Sequence, residues 1–185
     1  TGIAMQMLGN STPASGGEHY ISHALDMYGF AISGDAPSSH GLQVALGTGA
    51  LLQDYRQFFV PVRDHTFRID RERYKKHITD WQELGVDLSE AIHAKLDFLT
   101  LVQHNLANID SAEMRKEAAA LLALSPRIES VRRKTGLPET PEQIGISEKL
   151  FNFARTHAVD MRKRLTLADF FVLHPPDRNN PGAFS

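Results

Sequence analysis

Among its 185 residues the chain has no cysteine. Disulfides and thiolate metal sites are therefore excluded, and any bound metal must be held by histidine or carboxylate. No run of about 18 apolar residues occurs, so no segment reads as membrane-spanning. An excess of one charge is also missing: 20 Lys and Arg stand against 22 Asp and Glu. That balance gives no global attraction to nucleic acid or to an anionic membrane. β-Branched residues are sparse; Val, Ile and Thr total 28 against 39 for Ala and Leu, which favours helices over strands. Three site signatures are absent as well: the GxxxxGK[ST] phosphate loop, the GxGxxG dinucleotide loop and the HExxH zinc-protease helix. What remains, 42% hydrophobic and 23% charged residues, is ordinary globular composition rather than that of a disordered chain.

The apolar spacing and the caps predict an all-α, bundle-like domain of roughly eight helices. Ile21, Ala24, Leu25 and Tyr28 form a stripe on a helix over 15–30, followed by a loop over Ile32–Ser39. Gly41–Phe59 is apolar and helical, with Gly47 and Gly49 each unfavourable by about 1 kcal/mol, until Pro61 interrupts it. Phe67–Leu84 carries Tyr74, Ile78 and Trp81 on one face and stops at Gly85. Leu88, Ile92, Leu96, Leu99, Val102 and Leu106 make the longest stripe. Asp110, Thr140, Ser147 and Thr166 read as N-caps, the helices after them running over 114–124, from Pro141, over 148–163 and to Leu173; between them Pro126–Thr135 closes at Gly136. Residues 1–174 form one helical domain in this reading, and 175–185 a loose polar tail. Thr1–Leu8 reads as the last turns of an apolar helix, so more protein is expected before it.

Chemistry concentrates in nine histidines. His157 lies on an apolar stripe and reads as a satisfied core residue. His65, His77, His93 and His104 sit beside Lys, Arg and Asp and read as surface residues. At about 100° per residue, His19, Ser22, His23 and Asp26 share one helical face opposite Ile21, Leu25 and Tyr28. His19 and His23 stand at i, i+4, where two imidazoles can grip one ion, but Tyr20 follows the first histidine where a zinc protease needs Glu. His40 opens the next, glycine-spaced helix. Spacing alone admits both a metal site and tight helix packing with an exposed histidine at its mouth.

The run Pro13-Ala14-Ser15-Gly16-Gly17-Glu18-His19-Tyr20-Ile21-Ser22-His23, with His40-Gly41 and Gly47-Thr48 after it, resembles the glycerol-1-phosphate dehydrogenase family. That family lies within the iron-containing alcohol dehydrogenase superfamily, beside glycerol dehydrogenase and 3-dehydroquinate synthase. Gly136-Leu137-Pro138, Thr140-Pro141-Glu142, Ile144-Gly145-Ile146-Ser147 and Arg162-Lys163-Arg164-Leu165-Thr166 resemble its C-terminal helices. The resemblance implies the C-terminal half of a cytoplasmic, metal-dependent, NAD(P)-linked oxidoreductase acting on a phosphorylated polyol or ketone, with an open oligomeric state. It implies His23 and His40 as metal ligands, His19 as a catalytic-pocket residue, and an Asp ligand and the nucleotide-binding domain before residue 1. Asp26 is not promoted to that ligand. Zn is the expected ion, with Ni or Fe also compatible with His and carboxylate ligands. Gly17 stands where the family usually has Ser, and Leu165 where it has Tyr, which bears on the substrate. A 3-dehydroquinate synthase-like enzyme, another polyol dehydrogenase and a non-enzymatic helical interaction domain are the competing readings.

Overall fold

The computed structural model describes residues 16–58, 69–106, 111–166 and 169; at 58, 104–106, 111, 113–115 and 117 the description stops at the backbone. The expected features at Thr1–Leu8, Pro61, His65, Asp110, His174 and the tail lie outside these residues, as does all of the helix to Leu173 except Asp169. The described residues form no strand. Their helices are α1 (Gly17–Ser33), α2 (His40–Phe58), α3 (Arg71–Glu83), α4 (Ser89–Leu106), α5 (Ser111–Ala123), α6 (Ser125–Thr135) and α7 (Glu148–His157). Two 3-10 turns, Pro141–Ile144 and Ala158–Met161, flank α7. The all-α class expected from composition is the class observed.

Local chemistry sets most boundaries. The Asp70 carboxylate accepts from the Arg73 N–H, and the Ser147 hydroxyl from the Leu150 N–H, so each satisfies an orphan donor of a first turn. Gly34 and Gly136 take left-handed conformations at the ends of α1 and α6.

Four expectations need correction. The helix expected from Phe67 begins only at Arg71, because Asp70 caps it there. α1 runs on through Ile32 to Ser33, because no left-handed residue stops it before Gly34. The Thr140 signal starts only a 3-10 turn, since Gly145, at φ 75°, ends it within four residues. The helix after Ser147 does not reach Lys163 as one α-helix: it tightens to 3-10 at Ala158. Three residues per turn rotate the buried face. Ala154 and Ala158 are buried as the α pattern requires, but so are Val159 and Asp160, while Leu150, Phe153 and Met161 are only half-buried.

α1 is the centre of the bundle and packs on α2, α7 and the Ala158–Met161 turn; α4 meets α3 and that same turn. Contacts between α1 and α2 run in antiparallel sense. Ser22 meets Gln43, whereas Glu18 faces Gly47, where an added Cβ would lie 3.1 Å from the Glu18 carbonyl oxygen. Glycine at 47 thus permits an approach that a methyl would obstruct. Ile21, Ala24, Leu25, Leu46, Leu51, Ile92, Leu99 and Ile146 line the core. At 25 cal/mol per Å2 such burial is the main favourable term holding the bundle together.

Candidate metal centre

The antiparallel pairing of α1 and α2 brings the Ser22–Asp26 stretch of α1 against the first turn of α2. His40 therefore comes to His19 and His23 although the 24–39 segment separates them. Ring centroids of His19 and His40 are 5.1 Å apart, and those of His23 and His40 5.8 Å. Two imidazoles binding one ion at ~2.0–2.1 Å place their ring centres roughly 5 Å apart, so the donor spacing suits a shared divalent ion. The group opens to solvent: His40 is exposed, and His19 and His23 are half-buried. Burial, the positive charge of Arg162 and the neighbouring His40 hold His23 below its ordinary value, leaving a neutral ring with a lone pair near pH 7.

Buried polar groups lie beneath this mouth. The Ser22 hydroxyl donates to Gln43 Oε1 at 2.6 Å and lies 2.9 Å from His40 Nδ1. Gln43 Nε2 donates to Asp26 Oδ1 at 2.8 Å and to the Ser38 carbonyl at 2.9 Å. Asp26 is thus linked to His40 only through Gln43 and Ser22. The hydroxyl of Tyr20, adjacent to His19, is buried without a hydrogen-bond partner among the described residues, and burial pushes its pKa up. His19 Nε2 lies 4.0 Å from the Glu18 carboxylate, at the edge of the same group.

A second histidine group occupies the core. His77 Nδ1 donates to Asp160 at 3.0 Å, and Trp81 Nε1 donates to the same carboxylate at 3.0 Å. His157 stacks on Phe153, centroids 3.9 Å apart, and lies 4.4 Å from His77. Its Nδ1 faces the Phe153 carbonyl at 2.9 Å and its Nε2 faces Asp80 at 3.1 Å. Those two acceptors favour a charged ring, but burial and the adjacent His77 outweigh them and His157 is held below its ordinary value. Potential ligand atoms of His77, His157 and Asp160 all fall within 4.8 Å of one another. His77 Nδ1 and both nitrogens of His157 already face Asp160, Asp80 and the Phe153 carbonyl, so an ion there would have to displace those contacts inside the core.

His157 is a core histidine as its stripe implied. His77 is not a surface residue: it is 2% exposed. Spacing explains the correction, since Tyr74, His77 and Trp81 at i, i+3, i+7 make one continuous buried stripe on α3. His93 is exposed as expected. A third buried group was also missed. Lys95 and Asp169 form an ion pair at 2.5 Å, Lys95 donates to the Val159 carbonyl, and the Tyr74 hydroxyl donates to Asp169 at 3.1 Å. The signal was in the sequence: Lys95 interrupts the stripe between Ile92 and Leu99, where a charge needs a partner.

Comparison with known proteins gives one consistent result. The chain is 34% identical over 119 residues to the glycerol-1-phosphate dehydrogenase [NAD(P)+] of Thermococcus kodakarensis, covering 64% of this chain and 31% of that enzyme. It is 52% identical over 48 residues to the enzyme of that name from Korarchaeum cryptofilum, 26% of this chain and 15% of that one. Against the Geobacillus thermodenitrificans enzyme identity is 26% over 175 residues, 94% of this chain and 35% of the relative. The chain thus spans about a third of the length of the curated relatives it matches along most of its own. No protein-family model matches it, and no solved structure does.

Proposed function

Because the chain is a relative of the glycerol-1-phosphate dehydrogenases, we propose that it is the C-terminal metal- and substrate-binding portion of a cytoplasmic NAD(P)-linked oxidoreductase interconverting dihydroxyacetone phosphate and glycerol 1-phosphate. One observation carries the reading: His19, His23 and His40 converge at the start of α2. His23 and His40 would hold a divalent ion, zinc by preference, with an aspartate from the part of the enzyme this chain does not span. Bound there, the ion would supply Lewis-acid polarisation of the ketone, and the nicotinamide would supply the hydride.

The chain's own residues have defined tasks in this reading. His23 and His40 offer neutral nitrogens and fix where the substrate oxygens lie. His19 lines the pocket beside them. The positive charge of Arg162 acts on His23, where a phosphorylated substrate would meet it. α1 and α2 are rigid elements, which holds these groups in place without a cost in loop ordering.

The test uses the full-length enzyme and nicotinamide absorbance. Reduction of dihydroxyacetone phosphate should fall to background in His23→Ala and in His40→Ala and on chelation, with the helical circular-dichroism signal retained. An enzyme indifferent to both substitutions and to chelator would overturn the assignment.

A further inference from the structure

We propose that Gln43 and Ser22 are positioning residues that fix the proton of His40 on Nδ1 and leave its Nε2 lone pair facing away from the protein network. The inference is proton counting along a chain of contacts. Gln43 presents one end of its amide to Asp26 Oδ1, at 2.8 Å, and to the Ser38 carbonyl, at 2.9 Å. Both of those atoms only accept, so that end is the NH2 group and the other end is the carbonyl oxygen. The oxygen lies 2.6 Å from the Ser22 hydroxyl, which donates to it. A serine hydroxyl has one proton, and that proton is now used. Toward His40 Nδ1, 2.9 Å away, Ser22 offers only lone pairs, so Nδ1 must carry the hydrogen. A neutral imidazole has a single N–H, and Nε2 is therefore the nitrogen with the free lone pair.

Burial makes the arrangement firm. Ser22 and Gln43 are both fully buried, so neither can exchange its partner for water without leaving a polar group unmet. The order Asp26, Gln43, Ser22, His40 has the form of the outer-shell chains that orient metal-binding histidines, with a hydroxyl and an amide between carboxylate and ring. Asp26 then acts three residues removed from the ion position, by locking an amide that locks a hydroxyl. Free histidine favours the opposite tautomer, so the fold imposes this one. This deepens the metal-centre reading above and rests on it for its purpose, but the tautomer itself does not need a metal.

Two measurements separate the two ideas. In the metal-free protein, 15N imidazole NMR should show His40 as the Nδ1–H tautomer. Ser22→Ala and Gln43→Leu should return it to the Nε2–H form or a mixture, and Ser22→Thr, which keeps a hydroxyl, should restore it. If Gln43→Leu does not fold, Ser22→Ala, which removes a single oxygen, carries the test. Titration with Zn2+ should then show about 10–100-fold weaker binding in Ser22→Ala than in wild type. Wild-type His40 in the Nε2–H form, or a tautomer unmoved by Ser22→Ala, would overturn the proposal. The expected tautomer together with Zn2+ binding indifferent to His23→Ala and His40→Ala would uphold the proton arrangement and overturn the metal reading instead.

Discussion

The two histidine groups use the same side chain under opposite rules. In the core, His77 and His157 have their nitrogens turned inward, onto Asp160, Asp80 and the Phe153 carbonyl. At the mouth of α1 and α2, His40 spends Nδ1 on Ser22, and His23 is half-exposed with a depressed pKa. The core group closes on itself and rigidifies; the mouth group leaves donor capacity unspent. Proximity alone does not tell them apart, since the closed group is the tighter of the two. What separates them is access: His77 and His157 are buried among carboxylates and a backbone carbonyl, whereas His40 is exposed and His23 half-buried, where a ligand can reach them.

The sharpest way to break that comparison is to exchange readouts. In the full-length enzyme His40→Ala should remove activity while shifting the denaturation midpoint little. Asp160→Ala should do the reverse: it strands the buried His77 and Trp81 N–H groups, and chemical denaturation should show a loss of about 3–5 kcal/mol. Activity lost in both, with equal stability loss, would erase the distinction. Next in size, Leu99→Ala, at a fully buried position on α4, should cost about 2–5 kcal/mol, and Phe153→Ala, half-buried over His157, should fall toward the lower end. A melt unmoved by either would show that the core lies elsewhere.

Acid sharpens the contrast further. His157 has a folded pKa below its unfolded value, so between the two the unfolded chain binds more protons and stability rises with pH. Its contribution is present above about pH 6.5 and is lost as pH falls below that. Melting temperature should therefore drop between pH 7.5 and 5.5, and His157→Gln should flatten the slope more than His23→Gln, whose ring is more exposed. The smallest effect expected is at the surface. Arg56→Ala, which breaks the exposed pair with Glu129, should change unfolding free energy by less than about 1 kcal/mol.

How much of this was legible beforehand depends on the kind of signal. Repeating apolar residues announced α1, α3 and α4, and Ser147 and Gly136 could be placed as caps because capping is local chemistry, whereas Asp70 was read inside a helix and Gly34 inside a loop. His19, Ser22, His23 and Asp26 could be grouped on one face from helix geometry alone. Gln43 could not be seen: its role depends on the antiparallel register of α2 against α1, which no spacing within either helix encodes. Asp160 and Asp169 were missed for a related reason. Their partners His77, Trp81, Lys95 and Tyr74 are far off in sequence, and a carboxylate near the end of a polar stretch looks solvated until the tertiary contact is known.

One small absence reaches further than its size. Gly47 faces the Glu18 backbone, and a methyl there would sit 3.1 Å from a carbonyl oxygen, so the helices would have to part by a few tenths of an ångström. Seven residues, about 10 Å of helix, separate that point from His40. A wedge at Gly47 therefore works on the mouth as a hand works on callipers: the fulcrum is at the crossing, and the jaws are the imidazoles. The gauge of the opening is set by a side chain that is not there.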